Sequence, residues 1–199
     1  MKPAVLAFAV LVAVPLAASA AEAPAPADPP AVTAPAVDAE KAARLDSLFA
    51  ELKAAPTPAD GKAIEQKIWG EWLKSGDPKT DALMVDALVQ MSSGALNKAL
   101  ALLDQVIALN PGYAEGWNKR ATVYYEIKAY DKSLADIQQT LTLEPRHFGA
   151  LSGLGMIMIE LGDKRRALAA FQRAVAVDPT ISNGTEVIEE LEKAISKDI

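Results

Sequence analysis

Leu109-Asn110-Pro111, Leu143-Glu144-Pro145 and Val177-Asp178-Pro179 close three stretches of this chain alike, and their prolines stand 34 residues apart, twice. Self-similarity at a period of that size marks a stack of small units, none of which buries its apolar face alone. With each proline set as position 32, the units run 80–113, 114–147 and 148–181. Position 4 then holds Leu83, Trp117 and Leu151; position 8 holds Ala87, Ala121 and Gly155; position 20 holds Ala99, Ser133 and Ala167. Position 24 holds Leu103, Ile137 and Phe171, and position 30 holds Leu109, Leu143 and Val177. A small residue at 8 facing a small residue at 20 lets two helices approach closely, with the bulky side chains at 4 and 24 filling the space around them. Gly94, Lys128 and Gly162 fall at position 15, where the chain must turn between helices. Each unit is therefore predicted to be a helix hairpin.

These residues resemble the tetratricopeptide repeat (TPR) family. The second unit carries the pattern in Trp117, Ala121, Tyr124, Tyr130, Ser133 and Pro145, and the third in Leu151, Gly155, Gly162, Ala167, Phe171, Ala174 and Pro179. The resemblance implies an all-α fold, a right-handed α-solenoid of stacked hairpins. The first unit departs from the pattern: Asp86 and Gln90 stand where large apolar residues belong, and Arg120 follows at the same column as Asp86 in the second unit. Buried unpaired charge is expensive, so Asp86 and Arg120 are expected either to pair or to reach solvent.

Stacked repeats leave an apolar face at each end that needs cover. On the C-terminal side, residues 182–199 read as a capping helix: Asn183 with Glu186 resembles a capping box, and Ile188, Leu191 and Ile195 form one stripe. Glu186, Glu189, Glu190 and Glu192 then form its wet face rather than a cation site. On the N-terminal side, Leu45, Leu48, Phe49 and Leu52 mark one amphipathic helix and Ile64, Ile68, Trp69, Trp72 and Leu73 another, with Pro56, Pro58 and Gly61 breaking the chain between them. Residues 38–79 are read as a divergent hairpin capping the first unit; the alternative is that Trp69 and Trp72 are exposed to bind a partner.

Residues 1–20 carry Lys2, an apolar run from Ala4 to Ala18 and the sequence Ala18-Ser19-Ala20, the pattern of a signal peptide cleaved after Ala20. The run is shorter than the roughly 20 residues that span a bilayer, so no membrane insertion is expected after cleavage, although an uncleaved anchor is the alternative. Export to a bacterial periplasm follows. Residues 21–37, Ala or Pro at twelve of seventeen positions, read as an extended tether.

Of 199 residues, 20 are Lys or Arg and 26 Asp or Glu, for a net charge of −6. That balance lacks the basic footprint nucleic acid requires. The absence of Cys excludes disulfides, thiolate metal sites and cysteine nucleophiles. His147, the sole histidine, falls in a turn and reads as a solvated residue; alone it supports neither a metal site nor a catalytic triad. Gly149, Gly153 and Gly155 lie inside a predicted helix with no strand before it, so they do not read as a phosphate cradle. No enzyme, cofactor, metal or small-molecule substrate is expected.

What remains is a groove. In TPR stacks the first helices of successive units line the concave side, and the resemblance places Met84, Leu88, Asn118, Lys119, Thr122, Tyr125, Ser152 and Met156 there. Asn118 and Thr122 would bond a peptide backbone while Met84, Leu88, Tyr125 and Met156 bury its apolar side chains. The carboxylate clamp of the chaperone-tail-binding branch is missing: Met84, Leu88 and Gly149 stand where its Lys and Asn residues would be. The expected function is a non-catalytic interaction scaffold of the cell envelope that takes a segment of another protein, and the alternative is a self-associating structural subunit, a homo-oligomer.

Overall fold

The structure, a computed structural model, describes residues 39–197. The expected signal peptide and tether lie outside them. The described residues form helices α1 (Ala39–Lys53), α2 (Pro58–Trp72), α3 (Pro78–Ser92), α4 (Leu96–Leu109), α5 (Ala114–Glu126), α6 (Tyr130–Leu143), α7 (Phe148–Glu160), α8 (Lys164–Val177) and α9 (Gly184–Ser196), and no strand. The fold is an all-α TPR solenoid, with α3/α4, α5/α6 and α7/α8 as successive antiparallel pairs.

The turns inside the three pairs are one device used three times. Gly94, Lys128 and Gly162 take φ of 73°, 59° and 76°, the left-handed region. This bends the chain so that the N–H of Ala95, Ala129 and Asp163 reaches back to the carbonyl of Gln90, Tyr124 and Met158 at 2.9, 2.8 and 2.8 Å. Those bonds satisfy carbonyls that a helix end otherwise leaves open. Within each pair the small columns meet: the Ser133 hydroxyl donates to the Ala121 carbonyl at 2.7 Å. A methyl on Gly155 would lie 2.5 Å from a ring carbon of Phe171, so only glycine lets α7 pass that ring.

Three aspects differ from the sequence reading. Gly61 does not break the chain; it sits inside α2, which starts at Pro58 with Thr57 accepting the Asp60 N–H. The bare Cα of Gly61 is where Thr180, beyond α8, packs. The capping box at Asn183 does not form, because that residue is left-handed at φ 57° and its side chain makes no cap bond. Leu191, with Val187 and Ile188 beside it, nonetheless joins the core of the second and third units, so α9 covers the last pair.

The third difference is the place of the N-terminal hairpin. Leu45, Phe49, Leu52, Ile68 and Trp72 form a core with Phe148, and Val177 and Ile181 pack against it. The hairpin therefore lies along the turns that join successive units instead of stacking on the first. Trp72 is 4% exposed within this core, which removes it as a free partner-binding tryptophan.

Candidate functional site

Asn118, Thr122, Tyr125 and Glu126 of α5 face Ser152, Gly153 and Met156 of α7 across an open cleft of about 330 Å³. Ala121, Ser133, Ile137, Ala150 and Ile157 line it as well, and all five are buried. Five of the eight residues expected in the groove thus come together, because equivalent positions of successive first helices project to one side.

The hydrogen-bond roles differ from the expectation. The Asn118 amide N–H donates to Glu115 Oε2 at 3.0 Å, and the Thr122 and Ser152 hydroxyls donate to the carbonyls of Asn118 and Phe148 at 3.0 and 2.9 Å. One N–H of Asn118 and the hydroxyl donors of Thr122 and Ser152 are thus committed within the protein, while the Asn118 amide keeps a second N–H and the Thr122 and Ser152 oxygens keep acceptor capacity. The exposed carboxylate of Glu126 stands at the rim, and that of Glu160, one turn beyond Met156 on α7, receives the Tyr130 hydroxyl at 3.3 Å. The cleft is apolar in its floor and rich in acceptors at its edge.

Met84, Leu88 and Lys119 do not line it. Met84 is 1% exposed in the core of the first unit, with Leu88 packed against that core. The Tyr113 hydroxyl donates to the Leu73 carbonyl at 2.9 Å and draws the linker before α3 over that unit's inner side. Lys119 points away from the cleft: its ammonium pairs with Glu115 Oε1 at 2.8 Å and lies 4.8 Å from the Trp69 ring centre.

Glu115 is the centre of an arrangement the sequence reading missed. It is 1% exposed and also receives the His147 ring at 2.9 Å. His147, expected in solvent, is fully buried. Its Nδ1 accepts the Ala150 N–H at 3.1 Å, capping α7, so Nε2 carries the proton and donates it to Glu115. The imidazole stacks on Trp72 with centroids 4.0 Å apart and planes 8° apart. Burial pushes the Glu115 carboxyl up, but the His147 hydrogen bond and the Lys119 charge outweigh it and hold the group below its ordinary range. Trp69 fills the space beside Gly149, where a Cβ would lie 2.7 Å from a ring carbon.

This clasp consumes one edge of the trough. Of the residues at position 2, Asp81 accepts the Ser75 N–H at 2.7 Å, Glu115 sits in the clasp and Gly149 lies under Trp69. The chain's own hairpin thus covers that row, and the cleft is the part left open. A signal was present in the last column of the repeat, where Tyr113, His147 and Ile181 recur. Those three residues belong to the edge the hairpin covers, and a solvated turn gives no reason for large side chains there.

Asp86 and Arg120 do not pair. Asp86 reaches solvent, while Arg120 holds Asp136 at 2.7 and 2.8 Å and Asp104 at 2.8 Å, tying α5 to α6 and α4. Among the described residues, no group of three or more His, Asp or Glu is placed to hold a metal ion, and no helix is long and apolar enough to cross a membrane.

Comparison with known proteins agrees with this architecture. The tetratricopeptide-repeat profile matches residues 148–181. A TPR repeat-containing protein of Rhizobium etli is 39% identical over 87 residues, 44% of this chain and 43% of that protein, so the chain spans less than half its length. The Sgt2 TPR domain of Aspergillus fumigatus superposes with a TM-score of 0.57 at 19% identity, covering 61% of this chain and 82% of that one. The first TPR of Spaghetti (RPAP3), bound to the HSP90 peptide SRMEEVD, superposes with a TM-score of 0.57 at 17% identity over 59% of this chain and 94% of that one. MamA MSR-1 covers 80% of this chain and 88% of its own, with a TM-score of 0.51 at 16% identity. Similarities at these identities establish the fold.

Proposed function

The chain is a tetratricopeptide-repeat protein, and on that premise we propose that it is a non-catalytic scaffold that holds a segment of another protein in the cleft between α5 and α7. The observation that carries this is the convergence of Asn118, Thr122, Tyr125, Ser152 and Met156 on one open concavity with an apolar floor. Because the hydroxyl donors of Thr122 and Ser152 are committed within the protein and the Glu126 carboxylate stands at the rim, the segment it suits supplies cationic and apolar side chains. An acidic tail such as SRMEEVD, the peptide held by the RPAP3 domain, is the wrong partner for this cleft. The export expected from residues 1–20 puts that partner in the cell envelope.

Selection from a random peptide library against the purified chain tests the reading. Enriched peptides should combine Lys or Arg with large apolar residues, and Tyr125→Ala or Met156→Glu should change their affinity with the melting temperature unmoved. Met156→Glu removes an apolar contact and adds a carboxylate, so Tyr125→Ala is the cleaner probe: a loss of roughly tenfold is expected from truncating one aromatic anchor. Enrichment of acidic peptides, or equal affinity in Tyr125→Ala, would refute it.

A further inference from the structure

The first unit is exposed on the side where the other units are covered. Column 10 of the repeat holds Val89, Val123 and Ile157. Val123 and Ile157 are 0% exposed where a preceding pair stacks on them, whereas Val89 is 55% exposed. Column 3 behaves alike: Gly116 and Ala150 are buried and Ala82 is exposed. Val85, one helical turn from both Ala82 and Val89, is 60% exposed, and Leu109 of α4 is 45% exposed beside them. A preceding helix pair would normally fill such a face. The N-terminal hairpin does not, because its apolar side is spent on Phe148, Val177 and Ile181.

We infer that a second copy of this chain covers that face, in a two-fold dimer built on α3. The opposite end of the solenoid cannot do so head to tail: α9 closes it and presents Glu186, Glu189, Glu190 and Glu192 outward. The uncovered face is left to meet its own equivalent, and it is self-complementary. Lys79 and Asp86, both exposed, stand either side of Ala82 and Leu83 on α3. Two antiparallel copies about an axis beside Ala82 set Lys79 of each opposite Asp86 of the other, with Ala82 and Val85 between them and Val89 just beyond Asp86, at the edge of the contact. In that register about ten residues of α3 overlap, so the surface is small, roughly 15 by 20 Å, below the standard size of specific interfaces, and the dimer is weak and its assembly concentration-dependent.

Sedimentation velocity of the purified chain over about 1–300 µM tests this, since association of that strength passes from monomer to dimer in the range. The double variant Val85→Lys with Val89→Glu should stay monomeric throughout, at unchanged melting temperature, because both side chains are exposed. The native chain has no Cys; Ala82→Cys should therefore give a disulfide-linked dimer on mild oxidation, and Ser196→Cys, at the other end, should not. A native chain that is monomeric at every concentration, one that grows past the dimer, or a double variant that still dimerises would each overturn the inference. Equal cross-linking at positions 82 and 196 would do the same.

Discussion

Replacing His147 by Ala attacks the clasp at the residue on which three interactions converge. The substitution removes the acceptor that caps α7 at Ala150, worth roughly 1 kcal/mol for a helix N-cap. It removes the hydrogen bond to the buried Glu115 carboxylate, and bonds to charged groups are worth about 2 kcal/mol. It also removes the ring stacked on Trp72, about 1 kcal/mol for a well-placed aromatic pair. Neighbouring terms do not add fully, so the expected loss is roughly 3–4 kcal/mol, or a fall of roughly 10 °C in melting temperature. Urea denaturation followed by tryptophan fluorescence reads it directly, because Trp69 and Trp72 both lie against the imidazole. The pH arm has a fixed sign. A carboxyl held low in the folded state contributes stability above its unfolded value and loses it as pH falls through the folded one. Acidification through the carboxylate range should therefore destabilise the native chain more steeply than a Glu115→Gln variant. A His147→Ala loss below about 1 kcal/mol would mean that the hairpin is held by apolar contact alone and would refute the energetic weight given to the clasp.

The turns and helix glycines give two further expectations. Lys128 is left-handed at φ 59°, where its repeat equivalents are Gly94 and Gly162, so Lys128→Gly should stabilise by up to about 1 kcal/mol in thermal denaturation; destabilisation would show that the side chain makes up for its strained backbone. Within α2, two glycines should respond in opposite directions to Ala. Gly70 has nothing within 4 Å of an added Cβ, and Gly70→Ala should gain roughly 0.5–1 kcal/mol of helix propensity. At Gly61 the same atom would overlap the Thr180 side chain, so Gly61→Ala should cost roughly 1–3 kcal/mol by forcing the hairpin off the third unit. Equal effects at the two positions would contradict the docking of the hairpin described here.

The units were legible in the sequence because what defines them is local. A turn that needs positive φ, a small residue facing a small residue and a proline after the second helix recur within 34 residues, and each follows from the geometry of one helix pair. The shared cleft was legible to the same extent: Asn118, Thr122, Tyr125, Ser152 and Met156 occupy repeating positions on successive first helices, and repetition alone sets them side by side.

Contacts between segments far apart in the chain were decided only in the folded molecule. The amphipathic pattern of α1 and α2 shows that each has an apolar side, but periodicity carries no information about which partner that side meets. Hence the hairpin read as a cap on the first unit, yet it lies on Phe148, and Glu115, His147 and Trp72 come together from three separate elements. The same choice set Trp69 beside Lys119 and left Val85 and Val89 in solvent, while Met84 is buried in the core of its own unit. A repeat dictates what each unit does to its neighbour, whereas a non-repeating segment goes wherever the whole assembly offers its apolar surface the best cover.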